Sequence, residues 1–239
     1  MKKMIFLFMI SLLNATSAFA TKARFDSLQN SAHLSDTREI FIKPDQAGTY
    51  GEFVTMESGA TAGTPNAEGG FSRKLGDNSA LGAHLGNKEG LSQRALSLAS
   101  AYTFKIQNPL NVYYSNKMGE KSWGLGFQYA NSEDKKAMSK SSTMGLMASM
   151  TSSSGWDAQV ALGLSGEATI ADTTKVEQSL PLGLSGSYNM DTLTFYAGYE
   201  MIGAKTKASG TTTSNIDSST MKLGVVNSRL FLLFVGIGV

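Results

Sequence analysis

The residue types that most often carry out chemistry are scarce in this chain. It contains no cysteine, which excludes disulfide scaffolds, thiolate zinc sites and cysteine nucleophiles. Its two histidines are His33 and His84, and neither has a second ligand at metal spacing. We therefore expect no bound metal and no other cofactor, with each histidine either solvated or facing an interior.

Two serines stand in sequences that superficially resemble the nucleophile elbow of a hydrolase. They lie in Gly163-Leu-Ser-Gly-Glu and Gly183-Leu-Ser-Gly-Ser. An elbow needs a turn from a strand into a helix, whereas both stretches lie inside predicted strands. Neither histidine has a readable serine or acidic partner, so we expect the protein not to be an enzyme.

The charge balance also limits the choice of partner. The 239 residues include 21 Lys plus Arg and 19 Asp plus Glu. Two of the lysines, Lys2 and Lys3, lie in a segment that we expect to be removed, which leaves 19 of each sign (21 minus 2 against 19). A nucleic-acid-binding protein would carry a clustered excess of basic residues, so we expect this protein not to bind nucleic acid. The length fits one all-β domain.

The first twenty residues have the layout of a secretory signal. Lys2-Lys3 precede an apolar run from Met4 to Leu13, and Ala18-Phe19-Ala20 follows. This charged, apolar and small-x-small order is typical of a cleaved signal peptide, with Ala18 and Ala20 at the cleavage site. A buried N-terminal helix of a cytosolic protein is the alternative. The prediction is export through the inner membrane.

The rest of the chain alternates bulky apolar residues with small or polar ones. Trp123, Leu125, Phe127 and Tyr129 alternate with Ser122, Gly124, Gly126 and Gln128, and a period of two indicates a strand with one apolar face. The same pattern predicts eleven strands, near 50–58, 67–75, 79–87, 109–117, 121–131, 142–151, 155–168, 177–189, 192–204, 212–226 and 229–239. Accepting residues 95–106 as a strand gives twelve, and merging the last two gives ten.

Short and long connections alternate along the chain. Turns such as Gly76-Asp77-Asn78 and Ser153-Ser154-Gly155 are short and suit hairpins. The polar segments between them, 132–140, 169–176 and 205–215, are longer. Short turns on one side and longer loops on the other are typical of transmembrane barrels.

The face that is not bulky consists of Gly, Ser, Ala and Thr with few charges. This composition suits a crowded or water-lined interior and makes a poor soluble surface. Several aromatic residues fall near predicted strand ends, where an interfacial girdle belongs: Tyr50, Tyr102, Tyr114, Trp123, Tyr129, Trp156 and Tyr188. The sequence thus predicts an all-β fold, an antiparallel transmembrane β-barrel of about 10–12 strands. The alternative is a secreted soluble β domain.

This pattern resembles the small outer-membrane β-barrel proteins of Gram-negative bacteria. Within the N-terminal segment, Asp36, Phe41 and Pro44 also resemble the segment before the first strand of the long-chain fatty-acid transporter (FadL-like) superfamily, although that family's glycines are missing and Lys43 replaces its asparagine. The resemblance implies a plug-like segment inside or below the barrel. A polar periplasmic tail is the alternative. The predicted division is therefore 1–20 signal peptide, 21–48 plug-like or periplasmic segment, and 49–239 barrel.

The resemblance to outer-membrane barrels implies the cell outer membrane as location, with lipid, lipopolysaccharide and the barrel assembly machinery as partners. The oligomeric state cannot be inferred from the sequence. Strand parity predicts these lumen residues: His84, Asn111, Tyr113, Gln128, Gln159, Tyr196, Glu200 and Lys222. The predicted function is a narrow porin-like channel or transporter for small or hydrophobic solutes. A non-conducting structural or surface-recognition barrel is the second possibility.

Overall fold

The computed structural model describes residues 37–61, 64–88, 90–98, 107–136, 138–171, 173–208, 211–227 and 230–238. Two short 3₁₀-helices, Thr37–Phe41 and Pro44–Ala47, precede the first strand, and one α-helix, α1, spans Leu91–Leu98. The strands are β1 Phe53–Thr61, β2 Thr64–Lys74, β3 Ser79–Leu85, β4 Gln107–Met118, β5 Lys121–Asp134, β6 Ser139–Ser152, β7 Trp156–Ile170, β8 Thr174–Met190, β9 Leu193–Ala208, β10 Thr211–Asn227 and β11 Leu230–Gly238.

The strands form one sheet in which each strand pairs with its neighbours in sequence. The order runs from β1 to β11 without a crossover, and every pairing is antiparallel. The predicted all-β antiparallel fold is confirmed. Among the described residues, no pairing joins β1 to β11.

The structure also decides between the alternative strand counts. Residues 95–98 belong to α1 rather than to a strand, because their apolar positions follow a helical period that buries one face; residues 99–106 lie outside the described part. The ten-strand alternative is wrong, because β10 and β11 are separate and pair with each other, for example at Leu223 and Val235.

The longer polar segments are not loops. Strand β5 continues to Asp134 and β6 begins at Ser139. In the same way β7 continues to Ile170 and β8 begins at Thr174, and β9 continues to Ala208 and β10 begins at Thr211. The predicted loops 132–140, 169–176 and 205–215 are therefore mostly strand. Alternation persists there because Ala168, Val176 and Ala204 are buried on one face while charged side chains occupy the other.

The two faces of the sheet differ sharply in chemistry. One face, the outer face, carries large apolar side chains exposed in the isolated chain: Val54, Met56, Phe71, Leu81, Leu125, Phe127, Leu146, Leu184, Tyr199, Met201 and Leu223. The opposite, inner face buries polar residues, among them Ser72, Asn111, Gln128, Ser149 and Gln159. Polar residues are inside and apolar residues outside, the reverse of a soluble domain.

Aromatic residues gather on the outer face near one end of the sheet. Trp156 pairs in register with Tyr188, and the rings of Tyr114 and Trp123 lie 5.6 Å apart. The ammonium of Lys121 lies 5.9 Å from the centre of the Trp156 ring. Aromatic rings beside a cation suit a boundary between an apolar and an aqueous phase.

The inner face is covered by the elements that are not strands. The second 3₁₀-helix contacts β3, β4, β5 and β6, and α1 contacts β6, β7, β8 and β9. Two short elements thus reach seven consecutive strands, which requires the sheet to curve around them. At one end Leu96 of α1 packs into an apolar cluster with Ala168, Ile170, Val176 and Ala204.

In the described ranges, no helix is both long and apolar enough to cross a membrane.

The opposed faces give a direct test at two adjacent positions of β8. Leu184 lies on the exposed outer face and Ser185 on the opposite face. In phospholipid vesicles we expect Leu184→Arg to lower the free energy of unfolding by about 2–4 kcal/mol, because an arginine at mid-depth on a lipid-facing surface loses its hydration. Ser185→Arg should cost less than about 1 kcal/mol. Urea unfolding measures both; equal costs would contradict a lipid-facing outer surface.

Candidate functional site

The candidate site is the interior of the curved sheet, and its first component is the inner segment, residues 37–50. Pro44 stands at the start of the second 3₁₀-helix, where its fixed φ suits a helical turn and its missing N–H costs nothing. Arg38, Glu39, Lys43 and Asp45 are all buried, although such residues are almost never buried without partners. The segment therefore needs charged partners in the sheet wall.

Two ion pairs join the inner segment to the wall. Arg38 Nη1 lies 2.9 Å from a carboxylate oxygen of Glu68 on β2. Lys43 Nζ lies 3.1 Å from Asp157 on β7 and 3.0 Å from Glu39. All five side chains are at most 10% exposed. Removing one member of a buried set leaves an uncompensated buried charge, which strongly destabilises the folded protein. These ion pairs therefore hold the inner segment in one position against the wall.

Glu39 lies at the centre of the second set. The Tyr50 hydroxyl donates to its carboxylate at 2.6 Å, and Lys43 approaches from the other side. Burial raises the pKa of Glu39 above its ordinary value, and the opposing effects of Lys43 and Tyr50 offset part of that rise. The carboxylate is therefore held in place by partners that it needs in order to stay charged.

The second 3₁₀-helix is tied to β6 by hydrogen bonds. The backbone N–H of Asp45 donates to the Ser149 hydroxyl at 3.0 Å, and that hydroxyl donates back to the Asp45 carboxylate. The amide of Gln46 donates to Thr151 at 3.0 Å. These bonds satisfy polar groups that would otherwise be buried without partners.

Glycine in the wall gives the inner segment room. A Cβ added at Gly124 would overlap the backbone of Pro44 and Asp45, so only glycine allows this close approach. Gly126 lies beside Met147 and the ring of Tyr113, two wall side chains that pack on the inner segment. The glycine-rich face of the predicted strands therefore matches the surface of the inner segment.

An apolar cluster completes the contact. Ile40 and Ala47 of the segment pack with Tyr113 of β4 and Met147 of β6, and Phe41 packs on this cluster. The ring of Phe41 also meets His84 edge-on at 4.6 Å between centroids. His84 is 4% exposed, and it lies in an aromatic contact inside the sheet.

All eight predicted lumen residues lie on the inner face, but they divide into two groups. His84, Asn111 and Gln128 are side by side across β3, β4 and β5. These three, with Tyr113 and Gln159, are buried. Tyr196 and Glu200 on β9 are partly exposed, and Lys222 on β10 is exposed. Their role as lining residues stays a prediction.

The two groups reflect uneven coverage of the inner face. The inner segment contacts β3 to β6 and reaches Glu68 of β2 and Asp157 of β7. The inner residues of β8 and β9 are less covered, and many are small: Gly183, Ser185 and Gly198 are partly exposed. One side of the interior is thus filled, while the β8–β10 side retains accessible surface.

Of the remaining predicted motif residues, two lie in the described part of the chain and three lie outside it. Phe41 and Pro44 both lie in the inner segment. Asp36, Ala18 and Ala20 lie outside the described residues, as does the predicted signal peptide. In the described ranges, no group of three or more His, Asp or Glu is placed to hold a metal ion.

Sequence reasoning missed the charged anchors. Glu68 and Asp157 stand on the small-residue face of their strands, a position where a charge needs a buried partner. The density of charge in Arg38-Glu39 and Lys43-Pro44-Asp45 was the matching signal. Arg94, which pairs with Glu200, was missed because no element was predicted over residues 91–94 and residues 95–106 were considered as a strand.

Comparison with known proteins gives structural neighbours only. No protein-family model matches the chain, and no curated protein does. A loop-deletion mutant of OmpT, an outer membrane protein of Vibrio cholerae, is 15% identical with a TM-score of 0.44, over 70% of this chain and 54% of that one. Outer-membrane expressed OmpT is 14% identical with a TM-score of 0.46, over 70% and 51%.

The chain therefore spans about half the length of these OmpT structures. None of the comparisons shows a fatty-acid-transporter relative. At these TM-scores the overlap is partial, and the assignment rests on the sheet itself. An antiparallel meander with an apolar outer face and a polar inner face has the fold of an outer-membrane β-barrel.

Lys43 provides a test of the buried anchors. We expect Lys43→Met to lower the free energy of unfolding by about 3–5 kcal/mol, because Glu39 and Asp157 lose their shared cation. The control is Lys140→Met, whose 3.7 Å pair with Glu133 is exposed and should change stability by less than about 0.5 kcal/mol. Urea unfolding in detergent, followed by tryptophan fluorescence, compares the two; similar losses would contradict the anchoring role.

Gly124 tests the close approach of the inner segment. Gly124→Ala should displace the segment, because its new methyl group occupies the space of the Asp45 backbone. Gly183→Ala is the matched control on the inner face of β8, since its nearest neighbour would be Ala161 Cβ at an ordinary 3.6 Å. Limited proteolysis should cut Gly124→Ala near residues 37–50 and spare the control. Equal resistance of both variants would count against the contact.

Proposed function

We propose that the protein is an outer-membrane β-barrel that conducts small solutes along a narrow path beside its own inner segment. The observation that carries the proposal is the uneven filling of a polar interior. Buried side chains and the inner segment occupy the β2–β7 side, whereas the middle of β8 and β9 carries partly exposed inner residues, among them Gly183, Ser185, Gly198 and Glu200. A small barrel leaves little free lumen once side chains fill it.

The outer face supports a membrane location. Its apolar stretches, such as those from Leu180 to Tyr188 and from Leu193 to Met201, match the roughly 9–11 residues that a tilted strand needs to cross a bilayer. In water this surface would be a large apolar patch, which monomeric soluble proteins rarely expose. Lipid is therefore the solvent that fits the outer face, and a secreted soluble β domain fits it poorly.

The interior favours small polar solutes over hydrophobic ones. The accessible inner residues include Ser185, Tyr196, Glu200 and Lys222, which offer hydrogen bonds and charges rather than apolar contact. Catalysis is not part of the proposal.

A non-conducting structural barrel is the second candidate. The inner segment and α1 together contact strands β3 to β9, and Tyr113 at the centre is fully buried. If the inner segment never moves and the accessible side is too narrow for solutes to pass, the barrel would not conduct. It would then hold in the membrane the strand ends that project beyond the apolar stretches.

Planar-bilayer recording separates the two candidates. Chain beginning at residue 21, refolded in detergent, should insert and give small stepwise currents, and Gly124→Ala should raise the unit conductance severalfold by displacing the inner segment. The control Lys140→Met, whose exposed side chain pairs with Glu133 outside the interior, should match the unsubstituted chain. Verified insertion without current in all three would favour the sealed barrel. A protein that stays soluble without detergent and does not insert would contradict the membrane location.

A further inference from the structure

A charged pair crosses the less filled side of the interior. Arg94 on α1 lies 2.7 Å from a carboxylate oxygen of Glu200 on β9. The two side chains are 45% and 29% exposed, so water reaches both. The pair connects the internal helix directly to the wall.

Arg94 occupies the free side of its helix. The neighbouring residues Leu91, Ser92, Gln93, Ala95 and Leu96 are buried, and the Ser92 hydroxyl donates to the Met144 carbonyl at 2.9 Å. These contacts fix the opposite side of α1 against β6 to β9. The guanidinium is therefore not needed to bury the helix and is free to face the open part of the interior.

Glu200 stands among small neighbours. Its partners in register are Gly183 on β8 and Thr220 on β10. Gly198 and Lys222 form the next row on the same face. No large side chain in these rows shields the carboxylate, and Lys222 adds a second accessible cation nearby.

The position of the pair distinguishes it from the other ion pairs. The pairs Arg38–Glu68 and Lys43–Asp157 are buried under the inner segment. The pairs of Lys175 and Lys207 with Glu167 and Glu177 lie on the outer side of strands whose inner residues are Ala168, Val176 and Ala204. Among the described ion pairs, Arg94–Glu200 is the one that joins two elements across accessible interior.

We propose that Arg94 and Glu200 set the ionic selectivity of this channel, acting on small ions that pass beside the pair along the β8–β10 wall. An anion meets the guanidinium and a cation meets the carboxylate, and low-dielectric walls strengthen both interactions. The inference rests on the proposed channel function and adds the residues that set its ionic preference.

Reversal potentials under a potassium chloride gradient test the pair. Glu200→Gln should shift the permeability ratio toward chloride, and Arg94→Gln toward potassium, each by roughly twofold to fivefold. The opposite signs matter, because a pair that only anchored α1 would give the same change when either partner was removed.

Two controls complete the experiment. The double variant Arg94→Glu with Glu200→Arg keeps the pair and the net charge, so its permeability ratio should return close to that of the unsubstituted chain. Lys207→Gln, on the outer face, should leave the ratio unchanged. Currents that persist with unaltered ratios, or that shift in one direction for both single variants, would overturn the inference while leaving the channel intact. No current in any variant would overturn the channel itself, and the inference with it.

Discussion

A polar inner face can be buried only when something inside the sheet supplies hydrogen bonds and opposite charges to it. Here the inner segment meets that requirement: Arg38 and Lys43 meet Glu68 and Asp157, and Asp45 meets Ser149. An unpaired charge in such surroundings would cost several kcal/mol. The close fit of segment and wall therefore follows from electrostatics as much as from shape, and the rest of the interior is arranged around it.

Small residues in the wall explain why the interior is filled unevenly. Gly124 admits the backbone of the inner segment, and Gly126 admits the ring of Tyr113, so the β2–β7 side is filled. On the β8–β10 side, Gly183 and Gly198 face no comparable insertion, and the wall keeps accessible surface. A glycine thus gives close packing where a backbone or a ring lies opposite it, as at Gly124 and at Gly224 beside the Tyr196 ring, and accessible surface where neither does, as at Gly183 and Gly198.

The helix α1 and the irregular strands around it depend on each other. The pairing of β6 with β7 shifts register between Met144 and Gly145, and that of β8 with β9 shifts between Ser179 and Leu182. Ser92 bonds to the Met144 carbonyl at the first of these shifts. Beyond them the buried positions of β7 and β8 change parity, which lets Ala168 and Val176 face Leu96 together with Ala204 of β9, whose parity is unchanged. Such irregularities re-aim side chains, and here they build the site for the helix.

The sequence by itself determined the antiparallel strands, their apolar outer face and the parity of the eight interior positions, because strand alternation is local and has a period of two. The sequence did not predict that the strands extend into 132–140, 169–176 and 205–215. There the outer face carries charged residues and the inner face carries alanines, and this difference in hydrophobicity is too weak to indicate a strand. Only the tertiary structure decided which interior positions are filled. The partners of Glu68, Asp157 and Glu200 lie far away in sequence, and no local pattern can specify which distant cation a carboxylate will meet.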